Sequence, residues 1–268
     1  MTASETERRL AIARRIVSSL ASRTELRASL LAGSVAQGIA DEHSDIDLLN
    51  YYDSPPDGEL FTAVVHGAGG EKIDDLRYGF DGIEVQTSGQ AISELEVRLQ
   101  RIETGDVDWI TAKVAMGLIE GTALWGDELI NQWKSRASYP GSLRRREVEA
   151  NLGWFPIWRI DDHLAARDAE LFRRQMLLEG AFRVLAVLSA INRLYFSTFQ
   201  FKRATAYIDR MEIKPERLAE RLDRVANAPP SDAADELRKL VDETKTIVRK
   251  EMPDIDPEVA WRPAPRAV

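Results

Sequence analysis

The chain has 268 residues, of which 30% are charged, with no cysteine and a net charge of −8 at neutral pH. The lack of cysteine excludes disulfide bonds and thiolate metal sites. An acidic balance argues against sequence-independent binding of nucleic acid, which depends on many cationic contacts to phosphates. The sequence has neither a run of about 18 apolar residues nor the apolar core of a signal peptide. We therefore expect a cytoplasmic protein without a membrane partner.

The charges divide the chain near Tyr139-Pro140-Gly141. Residues 1–140 carry 13 Lys and Arg against 23 Asp and Glu, whereas residues 141–268 carry 23 against 21. An acidic first half suits a protein that holds cations there, although ordinary solubilising charge explains the same balance. The predicted elements also change character at this point, so we expect a domain boundary.

In the first half, strand-like and helix-like patterns alternate. Apolar residues at helical spacing predict helices, short apolar runs predict strands, and Asp81-Gly82 between two strand-like runs predicts a hairpin turn. Pro55-Pro56-Asp57-Gly58 has the composition of a helix start. In chain order we predict a helix over 6–20, strands over 26–32 and 45–52, a helix with its body at 60–65, a hairpin over 72–80 and 83–87, and helices over 92–102 and 108–119.

After Gly141 the pattern is helical throughout. Predicted helices cover 142–158, 168–194, 215–225 and 231–250, and four prolines make 253–268 irregular. The fold class is therefore α+β. We expect a small β-sheet domain with flanking helices over 1–140, an all-α domain over 141–252 and an irregular tail over 253–268.

One pattern in the first half carries chemistry. Gly33-Ser34-Val35-Ala36-Gln37-Gly38 follows the first predicted strand, and Asp45-Ile46-Asp47-Leu48 opens the second. A Gly-Ser turn can hold phosphates on its backbone N–H groups. Two Asp residues at positions i and i+2 of a strand project from one face, where they can share a divalent cation. Together the two segments indicate phosphate chemistry with Mg²⁺.

This pattern resembles the signature of the DNA polymerase β-like nucleotidyltransferase superfamily, in which Gly-Ser is followed by an acidic pair in a hydrophobic strand. Ala36, Gly38 and Ser44 also resemble the antibiotic-modifying (aminoglycoside and lincosamide) and minimal nucleotidyltransferase branches. A further segment, Gly121-Thr122-Ala123-Leu124-Trp125-Gly126, is similar to one that often follows the catalytic sheet in these branches. The resemblance implies a mixed β-sheet in the first domain. It is specific over residues 26–52 and only architectural beyond about residue 130.

The resemblance implies roles for individual residues. Asp45 and Asp47 would bind a pair of Mg²⁺ ions, and Gly33 and Ser34 would contact the phosphates of an NTP. The superfamily also has a third carboxylate on a neighbouring strand, which serves as metal ligand or general base. Glu84 fits best, because Ile83 and Val85 flank it as Ile46 and Leu48 flank Asp47. The alternatives are Asp81 at the predicted turn, and Asp74 or Asp75 on the preceding strand.

The sequence departs from the family at Gln37, where many relatives carry an arginine. A cation from the helical half could replace it, since in related two-domain enzymes a lysine and an aromatic residue from that half reach the nucleotide. Lys202 for phosphate and Tyr195 for base or sugar are the candidates. The alternative makes Tyr195 a core aromatic and Lys202 a cation at a helix end.

An acceptor site is less visible. Trp158, Asp161 and Asp162 could share one side of a helix and bind a hydroxylated, cationic small molecule, although aromatics at helical spacing are more often part of a core. The three histidines, His43, His66 and His163, have no metal-ligand spacing. We therefore expect nucleotidyl transfer from an NTP to a small hydroxylated molecule. Modification of a protein or RNA, and a non-catalytic nucleotide-binding role, are the alternatives, and the oligomeric state is left open.

Overall fold

The computed structural model describes residues 4–197 and 202–261. The chain divides into two compact units, residues 1–138 and 139–268. The first unit combines a β-sheet with helices, and the described part of the second unit contains helices and no strand, so the protein is α+β. No helix within the described ranges has the length and apolar composition needed to cross a membrane.

The first unit is built on a mixed six-stranded sheet with strand order β3-β4-β5-β2-β1-β6. Neighbouring strands are antiparallel except for the central pair, β2 and β5, which run parallel. The strands are β1 (Ala28–Ala32), β2 (Ile46–Tyr52), β3 (Glu71–Lys72), β4 (Arg77–Phe80), β5 (Ile83–Ala91) and β6 (Thr122–Trp125). The sequence predicted the hairpin of β4 and β5 but no strand at β6, whose four residues form the edge of the sheet beside β1.

Helices cover both faces of this sheet. They are α1 (Glu5–Arg23), α2 (Gly33–Ala36), α3 (Gly58–Gly67), α4 (Ile92–Thr104), α5 (Trp109–Glu120) and α6 (Asp127–Arg136). On one face, apolar side chains of α1 and α3 pack with Ile46, Leu48 and Val85 of the two central strands in a single core. On the other face, the ring of Trp133 from α6 packs edge-on against Tyr51 of β2.

Local sequence explains how the elements around the central strands begin and turn. Ser4 caps α1 together with Glu7 in a reciprocal pair of hydrogen bonds, and Asp57 accepts a hydrogen bond from the Leu60 N–H at the start of α3. Asp81 and Gly82 both have positive φ, 51° and 79°, between β4 and β5. Two consecutive left-handed residues match the right-handed twist of a two-residue hairpin, as the sequence predicted.

A row of buried polar side chains crosses the neighbouring strands β1, β2 and β5. The Ser29 hydroxyl on β1 donates to Oδ1 of Asn50 on β2 at 2.8 Å, and Nδ2 of Asn50 donates to the Thr87 hydroxyl on β5 at 2.7 Å. The same Nδ2 lies 3.2 Å from the Ser88 carbonyl oxygen. Because these polar groups have hydrogen-bond partners within the sheet, their burial does not carry the cost of an unsatisfied hydrogen bond.

The second unit forms around one apolar core to which its long helices contribute. Its helices are α7 (Gly141–Asn151), α8 (Asp161–Ala165), α9 (Glu170–Ile191), α10 (Ala204–Asp209), α11 (Leu218–Asn227) and α12 (Pro230–Glu251). The helix predicted over 142–158 ends at Asn151, and a 3₁₀ turn follows at Ile157–Arg159. The helix predicted from Pro215 begins three residues later, because Arg217 adopts a left-handed φ of 54°.

Candidate active site

Gly33 and Asp47 pack directly against each other. Ala32, the last residue of β1, lies opposite Asp47 in the antiparallel pair, and α2 begins at the next residue. Gly33 has φ +67°, and a Cβ atom at this position would overlap Oδ2 of Asp47 and lie 3.5 Å from its Cγ. Glycine is therefore favoured for two reasons, the left-handed backbone and the space that the Asp47 carboxylate occupies.

The predicted acidic residues lie on one face of the two central strands. Ile46 of β2 is paired with Val85 of β5, and both are buried in the core. Since side chains alternate along a strand, Asp45 and Asp47 point to the opposite face, and Glu84 and Gln86 of β5 point the same way. In this register Asp47 is the direct neighbour of Gln86.

Hydrogen bonds and ion pairs connect these side chains to β4. Nε2 of Gln86 donates to Oδ2 of Asp45 at 3.0 Å and lies 3.5 Å from Oε1 of Glu84. Nη1 of Arg77, the β4 residue opposite Gln86, lies 3.6 Å from Oε2 of Glu84. Asp74 accepts from Nε of Arg77 at 2.6 Å, and this bond, with the Leu76 N–H, lowers the pKa of the Asp74 carboxyl. In turn Asp74 and then Glu84 raise the pKa of Arg77.

The other candidate carboxylates differ in position, although Asp74 shares Arg77 with Glu84. Asp74 binds Arg77, Asp75 is exposed beside Lys72, and Asp81 lies in the hairpin turn, 3.8 Å from Arg15. Of the candidates for a third carboxylate, Glu84 is the one on the Asp45 face of β5.

Oxygen ligands for a cation are present, but the three carboxylates do not converge. In the described parts of the chain no three Asp, Glu or His side chains form a group able to hold a metal ion. Gln86 bonds Asp45, and Glu84 faces Arg77. Mg²⁺ is usually bound through one or two carboxylates, with water and substrate phosphates completing its shell. Asp45 and Asp47 fit that donor set, whereas Glu84 does not complete the three-carboxylate group that the resemblance implies.

A buried arginine that sequence reasoning missed fixes the loop before Asp45. Arg9 of α1 is 2% exposed, and it donates from Nε to the Ser44 carbonyl oxygen at 2.7 Å and from Nη2 to that of Glu42 at 3.1 Å. It also pairs with the Glu5 carboxylate. The signal was available, because Arg9 stands at helical spacing with Ile12, Ala13 and Ile16 on the buried face of α1.

Gln37, where the family pattern has an arginine, and the two predicted nucleotide contacts Tyr195 and Lys202 have different surroundings. Nε2 of Gln37 donates to Glu120 of α5 at 2.6 Å. Tyr195 is 4% exposed, its ring packs against Tyr139, its carbonyl oxygen accepts from the Tyr207 hydroxyl, and burial raises the pKa of its own hydroxyl. Tyr195 is thus a buried aromatic of the second unit, and its assignment to nucleotide contact stays a prediction. Lys202 is exposed two residues before α10 and stays a prediction, while its neighbour Phe201 lies outside the described residues.

The predicted acceptor residues do not form one helical side. Trp158 belongs to the 3₁₀ turn and packs against the core of the second unit, and α8 starts anew at Asp161. Asp161 is 7% exposed and accepts two hydrogen bonds from Arg173, each of 2.8 Å. The charge of Asp161 is thus already paired, and its role as a counter-charge for a cationic acceptor stays a prediction. Asp162 is exposed on α8.

Comparisons with known proteins add a distant likeness. The sequence matches no family model and no curated protein sequence. Among solved structures, the chain is similar to a nucleotidyltransferase-like protein from Exiguobacterium sibiricum 255-15, with 12% sequence identity and a TM-score of 0.37 over 92% of this chain and 80% of that one. A likeness of this size does not assign a function, so any assignment depends on the residues of the site.

Proposed function

We propose that the protein is a Mg²⁺-dependent nucleotidyltransferase that transfers NMP from an NTP to a hydroxyl of a small molecule. The observation that carries this proposal is the packing of the Gly33-Ser34 turn against Asp47, on the strand face that Asp45 shares. Support also comes from the sequence resemblance to the antibiotic-modifying and minimal nucleotidyltransferase branches. An antibiotic or a biosynthetic intermediate is the proposed acceptor class.

In the proposed reaction an acceptor oxygen attacks the α-phosphorus of the NTP. A phosphorus–oxygen bond to the acceptor forms, the bond to the β-phosphate bridging oxygen breaks, and pyrophosphate leaves with its electron pair. When bound by Asp45 and Asp47, Mg²⁺ would supply positive charge to the oxygens on which negative charge builds. Charge neutralisation and in-line positioning are the main requirements of this chemistry.

The residues of the site would have separate roles in this reaction. Backbone N–H groups at Gly33 and Ser34 would bind the phosphates, and the missing Gly33 side chain lets this backbone lie close to Asp47. Glu84 would accept the proton of the acceptor hydroxyl, which requires its carboxylate to turn from Arg77 and Gln86 toward the substrate.

The direct test is a screen of ATP, GTP, CTP and UTP with Mg²⁺ against a panel of hydroxylated small molecules. Pyrophosphate release and product mass are measured together, and each product should weigh as the acceptor plus one NMP minus water. The same incubations with the protein alone and with added RNA cover the macromolecular alternative. Products on protein or RNA alone would contradict the small-molecule proposal. No NTP binding and no product in any incubation would contradict the whole proposal.

Neutral variants of the two aspartates test the site itself. We expect Asp45→Asn and Asp47→Asn each to reduce pyrophosphate release at least ~100-fold, because each loses a charged ligand, a loss of ~3 kcal/mol in transition-state stabilisation. Asp53→Asn is the matched control, since Asp53 lies just after β2 in an exposed pair with Arg27. Circular dichroism should show all three folded. Full activity in either site variant would refute its assignment.

A further inference from the structure

The buried guanidinium of Arg9 lies beneath the loop that leads into the acidic strand. Its Nε and Nη2 atoms bind the carbonyl oxygens of Ser44 and Glu42, and Nη1 lies 3.3 Å from the Glu5 carbonyl oxygen. We propose that Arg9 is a positioning residue that sets the orientation of Asp45 for cation binding. This inference rests on the proposed function and extends it to a residue 36 positions away in the sequence.

Burial makes this arginine unusual. Arginine is almost never fully buried unless it is paired, because removing a cation from water is costly before compensation. Glu5, one helical turn earlier, supplies the opposite charge. The ion pair between Arg9 and Glu5 could also form at the protein surface, so this pair alone does not explain why Arg9 is buried. Because Arg9 is buried, it also binds the carbonyl oxygens of Ser44 and Glu42. Its burial therefore fixes the loop that contains these two residues.

The bond to Ser44 acts on Asp45 through one peptide group. The Ser44 carbonyl belongs to the planar unit that also contains the Asp45 N–H, so a bond to its oxygen restricts the backbone rotation that aims the Asp45 side chain. The loop has little other freedom on that side. The Ser44 hydroxyl bonds the Asp41 carboxylate at 2.8 Å, and the Ser44 N–H donates to the Asp41 carbonyl at 3.1 Å.

The carboxylate end of the Asp45 side chain is fixed by Gln86, which donates a hydrogen bond to Oδ2. Asp45 is therefore constrained through its backbone by α1 and through its carboxylate by β5. The missing side chain of Gly33 leaves the space that the carboxylate of the neighbouring Asp47 occupies. Asp45 is thus held before any ligand binds, as a preorganised cation site requires.

The test compares Arg9→Lys with Arg14→Lys in the full chain. Lysine keeps the positive charge but presents a single nitrogen, so it cannot bind two loop carbonyls and Glu5 in the same geometry. Arg14 is an exposed arginine on the same helix. Mn²⁺ alone is the probe, because it accepts the same oxygen ligands as Mg²⁺ and is read by electron paramagnetic resonance. Amide hydrogen exchange at His43 and Ser44 reports the loop.

We expect Arg9→Lys to weaken Mn²⁺ binding roughly tenfold, the size typical when a residue that orients a metal ligand is lost. Exchange should accelerate at His43 and Ser44 while β1 and α3 keep their protection. Arg14→Lys should match the wild type in both measurements. If Arg9→Lys fails to fold, Arg9→Gln repeats the comparison with an uncharged side chain that still donates to one carbonyl.

Two results would overturn the proposal. One is Mn²⁺ affinity within twofold of the wild type, and the other is an equal rise in exchange across the whole first unit, which would mean that Arg9 serves only global stability. If the wild type itself binds neither Mn²⁺ nor any NTP, the proposed function fails. Local acceleration at His43 and Ser44 would then still support fixation of the loop by Arg9, and a uniform rise would refute it.

Discussion

Replacing Gly33 by alanine has two structural consequences. The first is backbone strain, since a non-glycine residue at φ +67° costs about 1–2 kcal/mol. The second is the overlap of the new Cβ with Oδ2 of Asp47, which forces the aspartate out of its place. A displaced side chain that leaves its preferred rotamer adds about 0.5–1.5 kcal/mol. We therefore expect Gly33→Ala to lower the free energy of unfolding by about 1.5–3.5 kcal/mol.

Gly38 offers a matched control within the same segment. Its φ is +73°, yet a Cβ there would meet no atom within 4 Å. Gly38→Ala should thus cost only the backbone strain, about 1–2 kcal/mol, with little effect on ligand binding. The difference between the two variants isolates the displacement of Asp47.

Urea unfolding gives the stability of each variant, and titration with Mn²⁺ and with Mg²⁺-NTP gives its ligand affinity. We expect binding at least ~10-fold weaker in Gly33→Ala and unchanged within about twofold in Gly38→Ala, a difference of about 1.4 kcal/mol or more. Equal affinities in the two variants would refute the idea that the close approach of Gly33 to Asp47 serves the site. Equal stabilities would refute the overlap itself.

Three further predictions concern charged groups. Glu84→Gln should slow pyrophosphate release by about 10²–10⁴-fold with little change in NTP affinity. The control is Glu71→Gln at an exposed position, which should leave the rate unchanged. An unchanged rate in Glu84→Gln would exclude a general base at this position. Asp108→Ala should cost about 1 kcal/mol at pH 7. Because the Thr111 N–H above all lowers the pKa of Asp108 to about 2, this difference from the wild type should persist above pH 4 and shrink as the pH falls toward 2. Arg173→Met should cost about 3 kcal/mol in urea unfolding by leaving Asp161 buried and unpaired. Adding Asp161→Asn should recover much of that loss, and no recovery would contradict the pairing.

The local pattern of the central strands was sufficient to predict how they present their side chains. Ile46 and Leu48 alternate with Asp45 and Asp47, and strand alternation alone decides which face each residue occupies. Asp81-Gly82 likewise contained its own turn geometry. The α+β class follows from such local patterns, which depend on residues close in sequence.

What the sequence could not provide are the contacts between distant residues. The strand β6 was missed because four residues with mixed exposure have no clear alternation, and their pairing with β1 decides their structure. The tie of Gln86 to Asp45 depends on the parallel register of β2 and β5, and the pairing of Asp161 with Arg173 depends on how α8 meets α9. The burial of Tyr195 could not be predicted either, because burial of an aromatic side chain is a property of the packed unit.

The buried row of Ser29, Asn50 and Thr87 has a consequence for the accuracy of folding. A shift of β2 by one residue would turn Asp47 toward the apolar core and would leave the Asn50 amide without its partners. Each unsatisfied buried polar group costs about 1–3 kcal/mol, so the misaligned sheet is disfavoured twice over. An all-apolar row would distinguish these alignments less sharply. The correct register of β2 in the sheet thus depends on the Asn50 amide. Asn50 lies three residues along the strand from Asp47, on the face opposite the carboxylates.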